Sequence, residues 1–277
     1  MSVGRSATFP LLPRRAFVGL HGGTRRSLRR GKGDEIVGTR TYRPGDPVSS
    51  IDWAASAKLS TARGTDEFIV QEHYAAEAPH VAIVVDERPA MGIYGPPLPW
   101  LDKSAAARAV VELIDASART ARVGVHHEPA EEHGLGAALR SLRIRQARLP
   151  IGSFVFVVSD FIEEPDPRHW VALRARRWDV TPVVVQDPVW EQSFPIVGGI
   201  AIPFVAAEGG PVEEAWLSRR AAATRRAANV DRLERLLERF RRLGFDPVLI
   251  GSSDADAALR AFLGWAGRRQ RLRRSAA

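Results

Sequence analysis

Two short runs constrain this chain more than anything else in it. His80-Val81-Ala82-Ile83-Val84-Val85-Asp86 and Phe154-Val155-Phe156-Val157-Val158-Ser159-Asp160 are apolar, rich in β-branched residues and closed by a carboxylate. Runs of this kind read as strands buried on both faces, which is the condition of strands in a parallel sheet covered by helices. Open α/β sheets place their sites outside the carboxyl ends of the strands. Asp86 and Asp160 are therefore expected at one sheet edge, as two carboxylates of a metal-binding or anion-binding crevice.

Around these runs, strand and helix signals alternate from residue 80 to 265. Asp102 can N-cap a helix over 103–120, with Ala106, Val110, Leu113 and Ile114 on one stripe. A short strand at 123–125, a basic amphipathic helix at 135–146, a helix at 168–177 and a strand at 181–186 follow. Leu233, Leu236, Leu237, Phe240 and Leu243 mark a long helix ending at Gly244, and a last strand at 246–250 is capped into a helix reaching Trp265. Alternation of this kind argues for an α/β fold, a mostly parallel sheet with helices on both faces. Two additions are expected. Residues 194–205, centred on Gly198-Gly199, read as a β-hairpin insertion. Residues 34–78 read as a small β-rich lead-in, with a strand pair turning near Gly64 and Trp53 as a core or packing residue.

Composition narrows the partners. The 277 residues carry a formal charge of +8, and Lys32, Lys58 and Lys103 are the only lysines. So general a preference for arginine reads as a bias of the whole chain rather than as a binding surface. Without cysteine there is no disulfide, no thiolate zinc site and no cysteine nucleophile, which fits a reducing cytoplasm. The N-terminus lacks the apolar core of a leader. The most apolar later stretch, 196–207, falls far short of the roughly 20 residues a membrane span needs, so a soluble protein without a membrane span is expected.

Other constellations are weaker. Gly31-Lys32 resembles the end of a phosphate-binding loop, but Arg26 stands where its first glycine is required. His126, His127 and Glu128, followed by Glu131, Glu132 and His133, offer zinc ligand types, yet Pro129 interrupts them and no helix sets their spacing. Ser159 beside Asp160 lacks the surroundings of a nucleophile. Arginine clusters at 25–30, 219–226 and 268–274 could meet a phosphate backbone, but no aromatics are interleaved with them and no nucleic-acid module is recognisable.

The N-terminal third carries a specific resemblance. Gly31-Lys32-Gly33-Asp34-Glu35, then Arg40-Thr41-Tyr42-Arg43-Pro44-Gly45-Asp46, then Ile51-Asp52-Trp53 and Ser56-Ala57-Lys58 closely resemble the ordered signature of the domain of unknown function 58 family. Lys58 stands for a usual arginine, and Ser49 or Ser50 occupies a region where the family has arginine. The ends read from their own residues as a flexible tail at 1–18 and a basic tail at 267–277. Between them the resemblance implies a signature segment packed on the core at 19–78 and a Rossmann-like von Willebrand factor A-like domain at 79–266, into which the hairpin insertion is placed at 190–210.

It also implies a metal-adhesion site, and here the sequence departs from the pattern. A working site has Asp-x-Ser-x-Ser after the first strand, a threonine from a later loop and an aspartate further on, giving a hard cation such as magnesium its oxygen ligands. This chain keeps Asp86 and Asp160 but puts Arg88 and Ala90 at the serine positions and His133 at the threonine's place. Arg88 is a permanent cation where a cation's ligand should stand. The expectation is a degenerate site with no metal or other cofactor. The resemblance implies a non-enzymatic adaptor of the bacterial cytoplasm that works with a MoxR-type AAA+ ATPase on client proteins in a chaperone-like system. The alternative is an arginine-rich nucleic-acid-binding protein.

Overall fold

A computed structural model describes residues 7–14, 18–19, 36–43, 46, 48, 51–64, 67–74, 80–92, 101–128, 134–145, 149–204, 211 and 213–275. The chain forms two compact units, one of Arg15–Pro79 with Pro150–Gly152 and one of the remainder.

The first of these units holds strands β1 (Val18–Gly19) and β2 (Ile36–Thr41), helix α1 (Trp53–Arg63) and strand β3 (Ile69–Tyr74), with the strands antiparallel in the order β1-β3-β2. The strand pair expected to turn near Gly64 is corrected. Gly64 is the left-handed C-cap of α1 (φ 64°), donating its N–H to the Ser60 carbonyl, and β3 pairs with β2 across the whole helix. Helix α1 is alanine-rich with only a weak apolar stripe, so its periodicity gives no signal.

The signature residues fix this helix to the strand. Ile51 bridges Val70, and the Asp52 N–H donates to the Ile69 carbonyl at 2.8 Å. The Asp52 carboxylate caps α1 by accepting from Ala55 N (2.9 Å), and its other oxygen accepts from Gln71 Nε2 (2.7 Å). Buried Ser56 donates to the Asp52 carbonyl (2.6 Å) while accepting from Ile69 N (2.8 Å). In the preceding turn Asp46 accepts from both Arg40 Nη atoms (2.7 and 2.8 Å) and from Arg43 N (2.8 Å). Trp53 does not fill a core; it is 59% exposed, with its edge against Phe68, which also meets Tyr42. Gly33, Asp34, Glu35, Pro44 and Gly45 lie outside the described residues.

The other unit runs β4 (Val81–Val85), α2 (Pro89–Gly92), α3 (Lys103–Ala121), β5 (Val125–Glu128), α4 (Leu135–Arg145), β6 (Phe154–Ser159), α5 (Pro167–Ala175), β7 (Asp179–Val185), β8 (Ile200–Phe204), β9 (Glu213–Leu217), α6 (Arg219–Arg242), β10 (Val248–Ile250) and α7 (Ala255–Ser275). Five strands make one parallel sheet in the order β10-β7-β6-β4-β5. Taken in chain order these strands lie 5-4-3-1-2, the doubly wound arrangement whose direction reverses between β4 and β6. The fold is thus the expected α/β, Rossmann-like one. Both faces are covered. Val81, Ile83, Phe154, Phe156 and Val158 meet α3 and α7 on one side, while Ala82, Val84, Val155 and Val157 meet α4, α5 and α6 on the other. This two-sided burial is why the runs are apolar at every position rather than at alternate ones.

Three expected boundaries differ. The N-terminal tail is, over residues 7–14, part of the core: Phe9 is 3% exposed, stacks on Phe262 at 4.4 Å and donates its N–H to Ser117 Oγ at 3.1 Å. The basic C-terminal tail continues α7 to Ser275, with Arg269 buried against Trp265 and paired with Asp179 through two 2.9 Å contacts. The hairpin exists, but it pairs β8 with β9, beyond Gly198-Gly199. Those glycines precede the first strand: a Cβ on Gly198 would lie 2.6 Å from the Arg219 backbone nitrogen, so only glycine admits this approach to α6.

Candidate functional site

Asp86 follows β4 and Asp160 follows β6, so the two aspartates flank the point where the strand order reverses. The Asp86 N–H extends the ladder to the Val158 carbonyl at 2.8 Å. Immediately after Asp160 the chain turns at Phe161, whose φ of 50° is rare for a large side chain. Packing holds it there. Phe161 is 1% exposed, with its ring against Trp170 and Phe240, and its N–H donates to Ser159 Oγ at 3.0 Å.

Arg88 folds back over Asp86. Its Nε donates to Asp86 Oδ1 (2.9 Å) and its Nη2 to Oδ2 (2.6 Å), while its backbone N–H also reaches Oδ1 (3.1 Å). Ser159 Oγ donates to Asp86 Oδ2 at 2.6 Å. Burial would push the Asp86 carboxyl up, but the Arg88 and Ser159 hydrogen bonds outweigh it and hold the group below the usual carboxylate range. The same guanidinium pairs through Nη1 with Glu163 and stands 3.7 Å from Asp160 Oδ1. Its own pKa rises, chiefly through the Asp86 hydrogen bonds.

The second cation at the site belongs to no motif in the sequence. Lys103, the first residue of α3 behind the Asp102 cap, is 5% exposed and places Nζ 2.7 Å from both Asp160 Oδ2 and Glu191 Oε1. Burial works to lower the pKa of this ammonium, but the two carboxylates prevail and raise it. Glu191 comes from the turn after β7, where its other oxygen accepts from Asp187 N (2.8 Å) and its carbonyl from Arg232 Nη2 (2.7 Å). Gln186 Nε2 closes the group on the Asp160 carbonyl at 2.5 Å. Rarity is the only sequence signal for Lys103, one lysine of three in an arginine-rich chain.

Asp86, Arg88 and Asp160 are thus brought together. Ala90 is buried on α2 and offers no ligand atom, and His133 lies outside the described residues. A divalent ion needs carboxylate oxygens open to it. Here both Asp86 oxygens take guanidinium donors, Asp160 Oδ2 takes Lys103 and Asp160 Oδ1 takes Ile162 N (3.1 Å). The residues present fit an internal salt bridge and do not fit magnesium. The zinc ligand types also diverge: His126 stacks on His80 with ring nitrogens 3.0 Å apart, while His127 turns to Asp115. Among the described residues no three such groups converge. Ser159 is fully buried, with its hydroxyl committed to Asp86 and Phe161. Trp170, Trp178 and Trp265 are core residues. Among the described residues no helix is long and apolar enough to cross a membrane.

Comparison with known sequences and structures found no match among curated proteins or solved structures. One family model does match, over residues 99–232, a stretch that holds Lys103, Asp160 and Glu191. It lies outside the N-terminal signature and supports the same assignment independently: its family is described as protein of unknown function DUF58.

Proposed function

We propose that this chain is a non-enzymatic protein-interaction adaptor of the cytoplasm whose metal-adhesion site has become a salt bridge. In this reading it acts with a MoxR-type AAA+ ATPase, which hydrolyses the ATP while the pair remodels or activates a client. The observation that supports the loss of the metal is the Arg88 guanidinium laid across Asp86 and 3.7 Å from Asp160, with Lys103 on the far oxygen of Asp160. A cation supplied by the chain removes the need for a dissolved one, and it leaves the crevice shaped without a metal. The ATPase partnership rests on the family resemblance alone.

A pull-down of the tagged protein from its own host at low salt, with a nuclease-treated control and mass spectrometry, tests the reading. Enrichment of an AAA+ ATPase that survives nuclease is the expected result. Recovery only of nucleic-acid proteins, lost on nuclease treatment, would overturn it in favour of the arginine-rich faces. Arg219, Arg220, Arg225 and Arg226 are exposed on α6, as that alternative requires.

A further inference from the structure

Beside the salt-bridged crevice lies a cavity of about 780 Å³ whose chemistry the salt bridge leaves open. It sits over the carboxyl ends of β4 and β5, against α2 and α3. Its apolar wall includes Val85, Met91, Ala107 and Val111. Its charged lining is unbalanced. Asp86 and Arg88 neutralise each other, which among the described lining residues leaves Glu87, Glu112 and Glu128 against Arg108 and against His127, whose ring is turned to Asp115. An acidic, partly apolar hollow is unusual on a chain of net charge +8.

Glu128 is the informative member. It closes β5, in register with Val84 and so two residues from Asp86. It is 7% exposed, and its Oε2 is buried with no hydrogen-bond partner among the described residues. Buried carboxylates are ordinarily paired or hydrogen-bonded, because an isolated buried charge is costly. A water could satisfy a lone pair but would leave the charge unmatched. A cation on an apolar stem would meet both the carboxylate and the wall.

We propose that this cavity takes an organic cation, a guanidinium or ammonium group on a short apolar stem, with Glu128 as its counter-ion. The volume is that of a small-molecule site and admits such a group either as a free amine or as the arginine or lysine side chain of another polypeptide. For the polypeptide source the proposal rests on the interaction reading above.

The test is saturation-transfer NMR and calorimetry on the full chain with three probes: n-butylguanidinium, the neutral n-butylurea, and a blocked Gly-Arg-Gly peptide. Butylguanidinium is expected to bind and butylurea not. Glu128→Gln, which keeps shape and removes charge, should weaken binding about ten- to a hundredfold, the scale of one charge-assisted hydrogen bond. Val111→Phe, which fills the hollow and keeps Glu128, should abolish it. Tighter binding of the peptide than of butylguanidinium assigns a polypeptide source, and the reverse assigns a free amine. Equal binding of butylurea, no guanidinium binding, or unchanged affinity in Glu128→Gln would each overturn the proposal. If butylguanidinium fails to bind while the wild type still recovers an ATPase, this proposal falls and the adaptor reading stands.

Discussion

Replacing Lys103 by Met keeps most of the stem and deletes the charge between Asp160 and Glu191. The two 2.7 Å contacts are each worth about 6 kcal/mol of gross attraction at an effective dielectric of about 20. Most of this is offset in the intact protein by desolvation of ions that are nearly fully buried. Truncation leaves that desolvation uncompensated, with two carboxylates facing each other and Asp160 fully enclosed. The expected loss is about 3–5 kcal/mol, or roughly 6–20 °C in Tm for a unit of this size. Urea titration followed by tryptophan fluorescence, which the buried Trp170 and Trp265 report, measures it. The double variant Lys103→Met, Asp160→Asn should recover part of the loss, since it buries a neutral amide in place of one orphaned charge. A cost below about 1 kcal/mol, the value of an exposed pair, would refute the reasoning and mean that water reaches the pair.

Arg88→Ser restores a serine to the Asp-x-Ser pattern and removes the guanidinium from both aspartates; magnesium should then raise the Tm of the variant and not of the wild type, and no shift in the variant would sink the idea that Arg88 replaces a metal. Asp46, held down to about 2 by the Arg40 hydrogen bonds and the Arg43 N–H, should titrate near 2 in a carboxyl NMR experiment, and a midpoint near 4 would refute the clasp. Because this pKa lies below the unfolded value, the stability it adds is present above pH about 4 and is lost as pH falls toward 2. Phe9→Ala should cost about 3–5 kcal/mol in the same urea titration, whereas a change near zero would mean that residues 7–14 do not dock in solution.

The sheet and the two aspartates are legible because a continuous apolar run closed by a carboxylate fits little besides a buried strand that ends at a sheet edge. The contacts of the site are not. Arg88 can be placed by its distance of two residues from Asp86, but Lys103 and Glu191 reach Asp160 from other elements, 57 and 31 residues away, and local pattern carries no trace of that. Helix α1 is hidden because its weak amphipathicity leaves periodicity nothing to detect; its Asp52 cap and Gly64 stop are the only signals. Gly198-Gly199 looks like a turn in sequence, and only the approach of α6 shows why a side chain cannot stand there. Arg269 reads as part of a solvated tail because buried arginines are rare, and its partners, Asp179 and the Leu12 carbonyl, are remote in the chain.

That last contact bears on how the protein is made. Leu12 and Arg269 are 257 residues apart, and Phe9 stacks on the same helix through Phe262. At about 5–20 residues per second, a ribosome takes roughly 10–50 s to deliver α7 after residues 7–14. Until α7 arrives, Phe9 can meet Ser117 of α3 and Phe156 of β6 but lacks the stacked Phe262 ring and the edge of Trp265, so this part of the sheet face is only half covered. The nascent chain therefore presents an apolar seam that closes only late in synthesis, and any holdase that attends it must wait for α7 before letting go.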